Sequence, residues 1–145
     1  TEGAEGGARA FVQGPQPFSM ILCSNRLLDG SSSSSSLSFH NNHNAVKEMQ
    51  EVLTHELIHI YDVKIQQFDL QKCRSLAHSE VRAAREAECR DSWCPKICSR
   101  TKAVAATRNL FPTEGTQCVQ DVFENAFSDR APFKTIVEPV EHSSR

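Results

Sequence analysis

Thr54-His55-Glu56-Leu57-Ile58-His59 is the stretch on which the reading of this chain turns. It is an H-E-x-x-H sequence inside a segment, about 45–65, where Val46, Met49, Leu53, Leu57 and Ile60 recur at steps of three and four residues. That spacing predicts an amphipathic helix with those five side chains as its buried face. Asn44 is the expected N-cap, with Lys47 where the carboxylate of a capping box would stand. At 3.6 residues per turn, His55 and His59 project from one face, one turn apart, so two imidazoles can reach one zinc ion. Glu56 lies about 100° round the helix, beside the metal rather than on it. There it can act as the base for a water whose pKa zinc lowers to about 7. The bland alternative is that the two histidines pair with carboxylates on a surface helix. Asp62, three residues past His59 on the same face, either orients a histidine or is an ordinary helix-end carboxylate.

A catalytic zinc needs a third protein ligand and an open position. A second helix is expected over about 72–88, with Leu76, Ala77, Val81 and Ala84 apolar. It offers His78 and Glu80, two residues apart and so on roughly opposite faces. Glu80 is favoured, because the small residues of Ser79-Glu80-Val81-Arg82-Ala83-Ala84 let this helix pack closely on the first. His78 is the chemically commoner ligand type, and His40 and His43 are equally unplaced. Arg82 is a candidate either for helping to bind an oxyanion or for a salt bridge on the helix surface.

Outward from these two helices the chain reads as one domain, mainly α with a small strand region near its start. Phe18–Cys23 reads as a strand after Pro15 and Pro17. Pro95 opens a third helix over about 96–109, which Phe111-Pro112 ends. A fourth, about 115–128, sets Val119, Val122, Phe123 and Phe127 on one side. Residues 1–14 are expected to be disordered, 15–133 to form the domain, and 134–145 an irregular tail. The homopolymeric run Ser31–Ser36 marks a flexible insertion at 30–44. The chain begins at Thr1 rather than Met, as a fragment or processed form would.

The 145 residues carry 16 Lys+Arg against 18 Asp+Glu, a net charge of -2 that argues against a nucleic-acid partner and gives no polybasic tract. No apolar run approaches the roughly 18 residues of a spanning helix, so any membrane association is peripheral. Six cysteines stand at 23, 73, 89, 94, 98 and 118, and only Cys94 and Cys98 are spaced as a zinc-binding pair. Structural disulfides in an oxidising compartment are therefore preferred to an all-cysteine zinc site, with the pairing left open.

Several separated blocks resemble the mitochondrial inner-membrane metalloproteases that mature an ATP synthase membrane-sector subunit and assist assembly of that enzyme. They are Ile21-Leu22-Cys23-Ser24-Asn25-Arg26, then Leu53 to Asp62 around the zinc motif, then Leu76-Ala77 with Ser79 to Ala84. Val122-Phe123-Glu124 and Phe127-Ser128-Asp129 with Pro132-Phe133 close the resemblance, which covers about 20–133. It implies a zincin-like fold, with His55, His59 and Glu80 as zinc ligands and Glu56 as the catalytic base. It further implies a zinc endopeptidase, peripheral on the intermembrane-space face of the inner membrane, with the precursor of that subunit as its partner. The chain departs from the family at His78 and Ala126, where cysteines are usual, and at Val63-Lys64-Ile65, which lacks the usual Cys-Arg. The alternative function is a non-proteolytic assembly chaperone on the same fold. A disulfide-stapled helical binding module with accidental histidines is a third reading.

Overall fold

Four helix-forming runs, separated by a turn, a proline and a Phe-Pro break, set the architecture. The computed structural model describes residues 10–13, 19–22 and 38–133. Side chains at 10–13, 22 and 38–44 are not part of that description. The serine tract, Cys23 to Arg26, the side chains of His40 and His43, and the tail 134–145 lie outside the described residues. The elements are β1 (Ala10–Gln13), β2 (Ser19–Leu22), α1 (Ser38–Lys64), α2 (Cys73–Glu86), α3 (Pro95–Leu110) and α4 (Gly115–Ser128). The protein is thus mostly helical, with α2 to α4 within one or two residues of the ranges expected from periodicity.

β1 and β2 pair antiparallel, with Phe11 opposite Ile21 and Val12 opposite Met20. β1 corrects the expectation of disorder over 1–14 for its residues Ala10–Gln13. Four residues are too few for an alternation to be read, and it is the partner strand that supplies their hydrogen bonds. Helix α1 corrects a second expectation: it begins at Ser38, so Asn44 is an interior residue, and 38–44 are helical rather than part of a flexible insertion. Once a helical nucleus exists, each added residue brings its own backbone hydrogen bond, so polar residues extend it at little cost.

Helix α2 is the centre of the fold and packs against α1, α3 and α4. Nine of its fourteen residues are buried, which is why its charged members must find partners inside the protein. The apolar core is Ala77 and Val81 of α2, Ala103 of α3, and Cys118, Val119, Phe123 and Ala126 of α4. Pro95 occupies the first turn of α3, where its missing N–H costs nothing. Gly115 opens α4 hard against α3, since a Cβ there would lie 3.0 Å from the Arg108 nitrogen. Buried Arg85 donates to the carbonyls of Ala126, Phe127 and Asp129, satisfying the end of α4 that the helix itself leaves unpaired.

Two disulfides staple this core. Cys73 at the start of α2 is joined to Cys118 of α4, and Cys89 after α2 to Cys98 of α3. Cys94 carries no disulfide among the described residues. The Cys73–Cys118 bridge closes a loop of 45 residues, for which chain entropy gives about 4 kcal/mol as an upper figure. Replacing both cysteines by serine is expected to cost about 2–4 kcal/mol in urea unfolding of the oxidised protein. An unchanged midpoint would show that the bridge adds nothing to the folded state.

Candidate metal centre

The face of α1 that meets α2 is built from Glu56, Ile58, His59 and Asp62, all buried, with His55 beside them. The apolar stripe behaves otherwise than its periodicity predicts. Val46 and Leu57 are 52% and 56% exposed, and Met49, Leu53 and Ile60 are only half-buried. At 100° per residue this stripe lies on the opposite side of the helix from His55 and Asp62. The polar face wins the interior because α2 supplies a hydrogen-bond or charge partner for its histidines and for Asp62.

Those partners are specific. Ser79 donates its hydroxyl proton to Asp62 Oδ2 at 2.7 Å, and its oxygen lies 2.7 Å from His59 Nδ1. A hydroxyl has one proton, so toward His59 it can only accept, and His59 is the Nδ1–H tautomer with its Nε2 lone pair turned the other way. His55 Nδ1 likewise faces Glu88 Oε2 at 3.2 Å. Both Nε2 atoms converge on Glu80, His55 on Oε2 and His59 on Oε1, each at 3.5 Å. Ligand atoms of His55, His59 and Glu80 all lie within 4.8 Å of one another. The pairs His59 with Ser79 and His55 with Glu88 also show that α1 and α2 run antiparallel.

The electrostatics of this cluster favour positive charge between the helices. Burial alone lowers the His55 pKa, but hydrogen bonds and charge from Glu80 and Glu88 outweigh it and raise it to about 10. His59, more deeply buried, is lowered to about 4 by desolvation, against the pull of Glu80. Burial pushes the Glu80 carboxyl up, yet the two imidazoles prevail and hold it below its usual value. Glu56 is 9% exposed, and burial raises its carboxyl despite the neighbouring His55. It stands next to the cluster without joining it, and its raised affinity for a proton suits a group that takes one and gives it back.

The other candidates fall elsewhere. His78 faces Asn125 Oδ1 of α4 at 3.2 Å and packs edge-on against Phe68, away from His55 and His59. Of the two candidates on α2, Glu80 alone joins the two histidines. Arg82 does neither of the things expected of it. It is fully buried, paired with the equally buried Asp62 and bonded to the Ala131 carbonyl. It faces into the protein because α2 is covered on several sides, so the surface salt bridge has no surface to occupy. Asp62 takes the orienting role, acting on His59 through Ser79. Burial pushes the Asp62 carboxyl up, and Ser79 and Arg82 offset part of that. Glu88 was not legible, because it lies in the turn beyond the last residue of α2 and only the fold brings it to His55.

Comparison with known proteins agrees with the geometry. Residues 8–134 match the family described as the Peptidase M76 family. A Homo sapiens relative, "Mitochondrial inner membrane protease ATP23 homolog", is 35% identical over 126 residues, covering 74% of this chain and 50% of its own. A Xenopus laevis relative of the same name is 33% identical over 112 residues, covering 66% and 48%. "Mitochondrial inner membrane protease ATP23" of Candida albicans is 27% identical over 106 residues, covering 61% and 44%. The chain spans about half the length of these relatives, and no solved structure matches it.

Removing Asp62 would take from buried Arg82 its one buried carboxylate partner, leaving it the partly exposed Asp129 at 3.4 Å and the Ala131 carbonyl. Asp62→Ala is expected to lower the unfolding free energy by about 3–5 kcal/mol, and adding Arg82→Leu to restore part of it. Chemical denaturation of the single and double variants checks this. A cost under about 0.5 kcal/mol for Asp62→Ala would contradict the pairing.

Proposed function

This chain belongs to the Peptidase M76 family, and from that premise we propose that it is a zinc-dependent endopeptidase of zincin-like fold. His55, His59 and Glu80 hold the metal and Glu56 is the catalytic base. The observation that carries the reading is the convergence of two imidazole Nε2 atoms on one carboxylate, with each imidazole's other nitrogen already facing a partner. Two imidazole nitrogens, that of His55 giving up its proton to the metal, and one carboxylate are a donor set that zinc accepts. A zinc ion held by His55, His59 and Glu80 would supply a water of pKa near 7 and a Lewis acid for the scissile carbonyl.

The protein's own groups do the rest. Glu56 accepts the water's proton and later delivers it to the leaving amine. Ser79, backed by Asp62, fixes the His59 tautomer, and Glu88 does the same for His55. Helix α2 holds Glu80 against both histidines, so the ligand set is positioned by packing rather than by a loop.

We further propose that the chain works in the mitochondrial intermembrane space, peripheral to the inner membrane, on the precursor of an ATP synthase membrane-sector subunit. Three observations support this placement. The relatives bear the name of inner membrane proteases, no described helix is long and apolar enough to cross a membrane, and two disulfides suit an oxidising space. An assembly role without cleavage is separable from proteolysis by the fate of Glu56.

Glu56→Gln is expected to keep about one zinc per chain while losing roughly 10²–10⁴-fold in hydrolysis of a quenched-fluorescent peptide library. Retained hydrolysis would sink Glu56 as the base, whereas assembly activity surviving its loss would isolate the second role. Ser79→Ala should bind zinc some 10–100-fold more weakly, read by competition with a chelating dye. Unchanged affinity would show that Ser79 does not hold His59 for the metal.

A further inference from the structure

The turn between α2 and α3 carries the only tryptophan of the chain, Trp93, and leaves it 94% exposed. Nothing among the described residues covers the ring, although indole is among the most rewarding side chains to bury. Ile97, in the first turn of α3, is 63% exposed. The turn is not a loose one, since the Cys89–Cys98 disulfide ties it to α3. Trp93 therefore stands out from a braced part of the fold.

Around it lies an open cavity of about 570 Å³ whose lining includes Arg85, Arg90, Lys96 and Arg130 against one carboxylate, Glu86. Arg85 is spent on the end of α4, and Glu86 is turned onto Arg85 at 2.6 Å. Lys96 shares Glu124 with Arg100, and Arg130 reaches Glu86 only at 4.0 Å. Arg90 has no ion-pair partner among the described residues. Asp91 beside it is turned to Lys47 of α1. A surplus of positive charge thus surrounds an exposed indole on a chain whose net charge is -2.

We propose that this face seats the domain on an anionic lipid bilayer. Trp93 and Ile97 enter the headgroup region, and Arg90, Lys96 and Arg130 reach the lipid phosphates. Indole is at home at the boundary between water and hydrocarbon, and long cationic side chains keep their heads at the phosphates while their stems follow the apolar surface. A basic surface with an apolar centre is complementary to an anionic leaflet, where each Lys or Arg adds attraction that salt screens. Arg90 of this face is two residues beyond Glu88, which faces His55, so the seat and the His55, His59 and Glu80 cluster are linked through the turn that follows α2. This inference rests on the proposal that the chain acts at a membrane.

Because Trp93 is the only tryptophan, its fluorescence reports on this face alone. The test titrates the zinc-loaded full chain with phosphatidylcholine vesicles, with the same vesicles carrying phosphatidylglycerol, and with inorganic phosphate. Anionic vesicles should shift the emission to shorter wavelength and cosediment the protein, and neutral vesicles and phosphate should do neither. Lys96→Glu and Arg130→Glu, both at exposed positions, should each weaken cosedimentation about fivefold or more. Trp93→Ala should weaken it as well, with zinc content and peptide hydrolysis unchanged. No shift with anionic vesicles, or equal binding by the charge-reversed variants, overturns the proposal. A shift with phosphate alone makes the face a soluble-anion pocket and overturns it too. Zinc content of the same samples separates the two readings: a zinc-holding chain that ignores vesicles sinks only the docking, and a docking chain without zinc sinks only the peptidase.

Discussion

Asp62 is the point on which the rest of the structure depends. Its carboxylate is wholly buried at the junction of α1 and α2, takes the Ser79 hydroxyl proton on one oxygen and the Arg82 guanidinium on the other. A charge at such depth is tolerable only when its partners are fixed, so it sets the register of the two helices as firmly as any apolar contact. Arg82 carries the constraint onward to the Ala131 carbonyl after α4. Ser79 carries it inward to His59 and so to the cluster. One buried ion pair thus connects the packing of three helices with the tautomer of a single histidine.

The same logic accounts for the uneven electrostatics of the two histidines. His55 faces two carboxylates and is raised to about 10, while His59 faces one carboxylate and a neutral hydroxyl and is lowered to about 4. Chemically identical residues one turn apart therefore differ because His59 is the more deeply buried and its second partner carries no charge. Glu80 is shared between them, one carboxylate oxygen toward each histidine. The central helix pairs small residues, which allow close approach, with charged ones that the approach then satisfies.

Much of this was legible in the sequence. The H-E-x-x-H motif placed His55, Glu56 and His59 correctly relative to one another because helical geometry is local. Glu80 was separable from His78 by the small residues around it. The ranges of α2 to α4 followed from apolar periodicity and from Pro95 and Pro112. What failed was what the third dimension decides. Val46 and Leu57 look like core by spacing, yet the helix turns its polar face inward because its partners wait on α2. Arg82 and Glu88 carry no local signal, since their roles arise from elements 20 and 33 residues away in sequence. The structure sets His78 of α2 against Asn125 of α4, a pairing 47 residues apart that only the fold brings about.

If His55, His59 and Glu80 share one metal ion, X-ray absorption at the zinc edge of the purified, zinc-loaded chain will show it. The expected first coordination sphere is two imidazole nitrogens and oxygen donors at about 2.0–2.2 Å. Sulfur at about 2.3 Å, the mark of cysteine ligation, or a sphere with fewer than two imidazoles, would contradict it.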